Sequence, residues 1–169
     1  MPEPRDHAEN RGWIETILRF IPGFRGYLEK EYRRQSDDLQ REWLADRLGR
    51  SKRAIDNVSR PLAEAGQIDL LPQVDRLRGR LDKLIGRIRG AVQGYSGFFD
   101  LVQVDENLLD RVYEHDAAII KQVDALAEAI QELPARQDEI ATLLGNLLRR
   151  TDELDDQWDV REDMLKGVE

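Results

Sequence analysis

The sequence contains no cysteine and no long apolar run, and both absences narrow the protein's class. Without cysteine there can be no disulfide, thiolate nucleophile or metal site with cysteine ligands. The absence of cysteine is compatible with a reducing compartment. No segment approaches the ~18 consecutive apolar residues that a membrane-spanning helix needs. The first residues also lack the basic and then apolar pattern of a secretory signal. We therefore expect a cytoplasmic location.

Aromatic residues are few, at 7%, whereas charged residues reach 36%. The 40% of hydrophobic residues is still enough for a core in a chain of 169 residues. The net charge of -8 is unevenly distributed, because residues 1–100 carry 19 Lys and Arg against 16 Asp and Glu, while residues 101–169 carry 7 against 18. Two halves of opposite sign attract each other when the chain folds back. The acidic half also repels a phosphate backbone, which disfavours nucleic acid as a partner.

Apolar residues recur every three or four positions, the spacing of amphipathic helices. The clearest stripe belongs to a helix predicted over about Pro72–Gln93, and its alternation is that of a coiled-coil seam. This stripe consists of Val74, Leu77, Leu81, Leu84, Ile88, Ala91 and Tyr95. Similar stripes predict a short helix over Trp13–Ile21 and a long helix over about Arg25–Ser59.

The C-terminal part has two further stripes, separated by Pro134, which either kinks one helix or forms a corner between two. Asp105 is a candidate N-cap for the first of them, after a turn around residues 94–99. No strand-like alternation competes with these stripes. We therefore predict an all-α protein: an elongated three- or four-helix antiparallel bundle with coiled-coil-like packing. Residues 1–22 would form an N-terminal tail and short amphipathic helix, and residues 23–169 the bundle.

An acidic face near the C-terminus is the candidate metal site. Asp152, Asp156, Asp159 and Asp163 fall on one side of a helix, and carboxylate oxygens are the ligands that Mg²⁺ prefers. All-helical nucleotide pyrophosphohydrolases, however, need a second acidic pair on a facing helix, and the sequence offers no convincing one. The favoured interpretation is a solvated acidic face, with a Mg²⁺-dependent nucleotide hydrolase as an alternative.

The other chemical motifs are weak, and we predict no catalytic residue and no cofactor. His115 lacks the partner histidines of a metal site, so we interpret it as a seam or half-buried polar residue that marks helix register. Gly86, Gly90 and Gly94 share one helical face, which predicts the close approach of another helix or of large side chains such as Phe98 and Phe99. The same helix is rich in arginine, which predicts ion pairing with the acidic half or with an acidic partner.

The first helix places Trp13, Ile17, Phe20 and Ile21 along one apolar side. Such a side either caps the end of the bundle or contacts a membrane surface or a protein partner. The membrane interpretation gives a second alternative function, that of a membrane-peripheral helical protein.

The segment that follows, residues 21–34, reads Ile-Pro-Gly-Phe-Arg-Gly-Tyr-Leu-Glu-Lys-Glu-Tyr-Arg-Arg. It resembles a segment that opens a group of uncharacterised bacterial all-helical proteins. The resemblance implies a bacterial cytosolic origin and no activity. With long seams and no nucleophile, the sequence favours a non-enzymatic interaction or scaffold protein that binds a protein partner or forms a homo-oligomer.

Overall fold

The computed structural model describes residues 4–27, 29–90 and 106–166. These residues form helices and connecting turns without strands, as the all-α prediction required. The helices are α1 (Pro4–Phe20), α2 (Lys30–Glu64), α3 (Leu71–Gly90), α4 (Glu106–Gln131) and α5 (Ile140–Lys166). None of them is both long enough and apolar enough to cross a membrane.

The bounds of α2 differ from the prediction at both ends. The helix begins at Lys30 and not at Arg25, because Gly23 and Gly26 adopt φ values of 93° and 83°, which a right-handed helix cannot include. It also continues through Pro61 to Glu64, so the predicted end at Ser59 was wrong. A proline this near the end removes one helical hydrogen bond, and the helix stops only where the next glycine adopts a positive φ.

Helix α1 begins at Pro4, so the predicted start at Trp13 was wrong. Two other helix boundaries follow the proline signals. Pro72 lies in the first turn of α3, as predicted. Pro134 forms a corner and not a kink, because 3₁₀ turns at Leu133–Ala135 and Gln137–Glu139 separate α4 from α5. The predicted turn at residues 94–99 and the predicted cap at Asp105 lie outside the described residues.

Helix α2 packs against α3 and α4, helix α5 packs against the same two helices, and α1 packs on α4. Helices α2 and α3 run antiparallel. Asp46 of α2 pairs with Arg89 near the end of α3, whereas Asp56, further along α2, pairs with Arg78 near its start.

Helices α3 and α5 are neighbours that run parallel. Arg80 contacts Asp152, and Arg87, about two turns further along α3, contacts Asp159, which lies about two turns further along α5. The antiparallel prediction therefore holds for α2 and α3 and not for α3 and α5. A short connection determines the relative direction only of the two helices that it joins. Which other helices are in contact depends on the order of the helices around the core.

The core is one hydrophobic cluster to which all five helices contribute. Gly86 and Gly90 of α3 are exposed, and a Cβ atom added at either would meet no described residue within 4 Å. None of the described helices therefore approaches these two glycines closely. Gly94, Phe98 and Phe99 lie outside the described residues.

Candidate functional site

A cluster of polar side chains is buried where the α1–α2 connection meets α2, α4 and α5. We call it the Arg161 cluster. Each member is 9% exposed or less, which is unusual for ionisable residues. Its members are Tyr27, Arg33, Asp37, Gln40, Arg41, Asp116 and Arg161.

Arg161 lies at the centre of the cluster and is fully buried. Its Nε atom donates to Asp116 Oδ1 at 2.7 Å, and its Nη2 atom donates to Asp37 Oδ1 at 2.6 Å. The guanidinium also lies 5.0 Å from the centre of the Trp158 ring. Burial by itself would lower the pKa of Arg161, but the adjacent Asp116 and Asp37 carboxylates raise it well above its ordinary value. The side chain is therefore a permanent cation that joins α5 to α4 and α2.

Asp37 is shared by two arginines. Its second oxygen accepts a hydrogen bond from Arg41 Nε at 2.8 Å. Arg41 Nη1 donates to the carbonyl oxygen of Arg89 at 3.2 Å, at the C-terminal end of α3. A cation near the C-terminal end of a helix is favoured by the helix dipole. The cluster thus reaches α3 as well.

Tyr27 brings the α1–α2 connection into the cluster. Its backbone N–H donates to the hydroxyl of Tyr113 at 2.6 Å, and its carbonyl oxygen accepts from Arg33 Nε at 2.6 Å. The rings of Tyr27 and Tyr113 are stacked, with centroids 5.3 Å apart. Gly26 makes this approach possible, because a Cβ atom there would collide with the Tyr113 hydroxyl.

The Tyr27 hydroxyl oxygen lies 2.6 Å from Gln40 Oε1 and 2.7 Å from Asp116 Oδ2. A phenol has one proton, so it can donate to only one of these two acceptors. Desolvation by burial and the nearby Asp116 charge raise the pKa of Tyr27 well above 10.0, which keeps the phenol protonated and able to donate to Asp116.

Gln40 can donate a hydrogen bond to the Tyr27 hydroxyl oxygen if its amide nitrogen and oxygen exchange positions. Its Nε2 atom is buried without a hydrogen-bond partner among the described residues. After this exchange, Nε2 donates to the Tyr27 oxygen and the carbonyl oxygen takes the unpartnered position. Because an unpartnered buried acceptor costs less than an unpartnered N–H donor, this is the amide orientation that we assign.

Two carboxylates and the two arginines between them therefore balance each other in a closed site. Asp37, Arg41, Asp116 and Arg161 are each 4% exposed or less. Their hydrogen bonds connect α2, α3, α4 and α5 to one another, and no member offers a free face to a substrate. Chemically, the arrangement can fix the register and orientation of helices, because any slip would bury an uncompensated charge.

Sequence reasoning missed the whole cluster, although a signal for it exists. In α5 the spacing Leu154, Trp158, Arg161, Leu165 places an arginine in the apolar stripe. In α4, Asp116 fits the stripe as well as His115 does, and the structure buries Asp116 completely. A charged residue in a seam position is the pattern that predicts a buried ion pair.

His115 itself is half-buried, as predicted, at the contact between α4 and α5. Its Nε2 atom lies 2.7 Å from the carbonyl oxygen of Gln157, so the tautomer with a proton on Nε2 donates to that carbonyl.

The predicted acidic face lies on α5, and part of it faces arginines of α3. Arg80 Nη1 donates to Asp152 at 2.7 Å, and Arg87 contacts both Asp155 and Asp159. The predicted pairing of the basic helix with the acidic half is confirmed at these two arginines. Asp156 and Asp163 point to solvent. Within residues 4–27, 29–90 and 106–166, no three His, Asp or Glu side chains come close enough to hold a metal ion.

The apolar side of α1 faces inward. Ile17 and Ile21 are 0% and 3% exposed and belong to the common core. Trp13 and Phe20 are partly buried against it, and the Phe20 ring meets the Trp43 ring of α2 edge-on at 5.7 Å. Membrane contact through this side would require α1 to leave α4, which remains an untested alternative.

An open groove of about 400 Å³ runs between α4 and α5, and we call it the α4–α5 groove. Its floor is apolar, with Leu126 and Leu154 buried beneath Ala125. Its lining consists of Lys121, Gln122, Ala125, Leu126, Arg150, Glu153, Leu154 and Gln157.

No family model, curated protein or solved structure matches the chain. The resemblance of residues 21–34 to bacterial helical proteins therefore stays a prediction. These residues include Gly26 and Tyr27, whose geometry positions the Arg161 cluster.

Proposed function

We propose that this chain is a non-enzymatic scaffold or interaction protein of the cytoplasm, whose helices present a fixed outer surface to a protein partner. The observation that carries the proposal is the Arg161 cluster. A reaction centre needs acids, bases or nucleophiles that reach a substrate. In the cluster the ionisable side chains are buried and hydrogen-bonded to one another across several helices. This arrangement favours a structural role, in which the cluster fixes the positions of the helices.

The proposal includes the finer form of the fold. The contacts of α2 with α3 and α4, and of α5 with the same two helices, favour a four-helix bundle, and α1 adds Ile17 to its core through packing on α4. The regular three- and four-residue stripes favour coiled-coil-like packing inside that core. In such a bundle the outward faces of the helices remain available for binding.

The experiment that tests the function is site-specific photocrosslinking in cells that express the full chain. A photoreactive residue would be placed in turn at Leu18, Ile68 and Val160, which are 41%, 64% and 43% exposed. Asp156, an exposed acidic position, is the control. A scaffold with a defined binding face should give discrete adducts at some positions and none at others. The absence of adducts at every position, together with a strictly monomeric chain by light scattering, would contradict the proposal.

A further inference from the structure

The α4–α5 groove combines a concave shape with a distinct charge. Its outer α4 side presents Ala125, and Ala118 lies two turns earlier on the same exposed stripe. Small side chains on one helix leave room for another to approach. The α5 side runs from Arg150 to Gln157, seven residues or about 10 Å, which matches roughly two turns of a docked helix.

The charge of the groove is positive, although the chain as a whole is acidic. Lys121 and Arg150 line it and form no ion pair with any described residue. Its one acid, Glu153, forms an ion pair with Arg149 at 2.5 Å. Two unpaired cations beside an apolar floor are complementary to carboxylates flanking an apolar stripe.

The apolar contact extends beyond the floor of the groove. Val160 is 43% exposed and lies three residues after Gln157 on the same side of α5. An exposed large aliphatic side chain in line with a groove offers a further anchor position for a bound helix.

We propose that the α4–α5 groove binds an acidic amphipathic helix of a protein partner, an inference that rests on the proposed function and names its binding site. The partner's apolar stripe lies on the exposed side chains of Ala125 and Val160. Its carboxylates pair with Lys121 and Arg150. The contact is small, so it belongs to the class of transient interfaces.

The test uses the full chain and a fluorescent synthetic helix of about 16 residues, a length at which an isolated helix becomes stable. This probe carries leucines on one stripe and glutamates beside them, and a matched probe carries lysines in place of the glutamates. Fluorescence anisotropy at about 0.15 M salt should show the glutamate probe binding at least roughly tenfold more tightly than the lysine probe.

Variants then locate the site. The double variant Lys121→Glu/Arg150→Glu should lower the affinity for the glutamate probe by roughly tenfold or more and raise the affinity for the lysine probe. The double variant Arg76→Glu/Lys83→Glu changes the net charge by the same amount at two exposed positions of α3 and should leave binding within about threefold. Ala125→Trp keeps both cations and fills the groove, so it should also abolish binding.

Three results would overturn the inference. No binding of either probe is one, and equal weakening by the two charge variants, which indicates unspecific attraction, is another. The third is a wild-type dimer, seen by light scattering, together with a monomeric Lys121→Glu/Arg150→Glu variant. The groove would then bind a second copy of the chain. If the probe fails while crosslinks form elsewhere on the surface, the groove is excluded and the scaffold function stands.

Discussion

Removing the buried cation is the most direct test of what the Arg161 cluster contributes. Arg161→Met replaces the guanidinium with an apolar side chain and leaves the Asp37 and Asp116 side chains, 4% and 0% exposed, without the cation between them. Removing one partner of a buried ion pair costs about 3–5 kcal/mol, because the remaining charge is uncompensated. Domains of this size have a free energy of unfolding of about 5–15 kcal/mol, so the variant should lose a large share of its stability.

A double-mutant cycle separates this effect from lost packing. Asp116→Asn alone removes one of the carboxylates that Arg161 binds. If the two side chains interact as described, the combined variant Arg161→Met/Asp116→Asn should cost less than the sum of the single variants, by about 1–3 kcal/mol. The loss of the Arg161 contact with the Trp158 ring is present in both Arg161 variants and therefore cancels in the cycle.

The matched control breaks an ion pair between helices at the surface. Arg80 and Asp152 have side chains that are 38% and 55% exposed, so Arg80→Met should cost only about 0–1 kcal/mol. Urea unfolding followed by far-ultraviolet circular dichroism gives each free energy by linear extrapolation. Equal losses in Arg161→Met and Arg80→Met would refute the idea that burial makes the Arg161 cluster essential.

Three further predictions concern the α1–α2 connection and α1. Because the pKa of Tyr27 is raised in the folded state, its contribution to stability should be complete below about pH 10 and should fall as the pH rises towards the folded-state pKa. Tyrosinate absorbance of folded wild type and Tyr27→Phe should therefore coincide just above pH 10, and a smaller signal in the variant would contradict this. Gly26→Ala should destabilise the protein by about 1–3 kcal/mol in urea unfolding, more than Gly66→Ala, because both glycines have positive φ but only Gly26 faces the Tyr113 hydroxyl. Ile17→Ala should cost about 2–5 kcal/mol, whereas a membrane-facing isoleucine would cost little and its loss would reduce sedimentation with anionic vesicles.

The helices could be predicted from local sequence because their signals are local. The stripe from Val74 to Ile88 is buried as the spacing requires, and Pro72 marks the start of α3. The end of α2 was misplaced because Pro61 reads as a helix breaker. Near a C-terminus it removes a single hydrogen bond, and the burial of Leu62 favours continuing the helix.

The candidate site could not be found in this way because the register of a stripe is ambiguous. In α4, His115 and Asp116 both fit steps of three and four residues, and spacing does not tell which one is buried. What decides is the cation that meets Asp116, and Arg161 lies 45 residues further along the chain. The α4–α5 groove is similarly non-local, since its two walls come from separate helices.

The sequence by itself therefore determined that the chain forms long amphipathic helices and that its basic and acidic parts attract each other. Only the tertiary structure decided which helices are neighbours, which of them run parallel, and which charges are buried. The physical reason is that helix formation depends on residues three or four positions apart. The burial of a charge such as Asp37 is tolerated only when a partner, here Arg161 at a distance of 124 residues in sequence, reaches it at 2.6 Å.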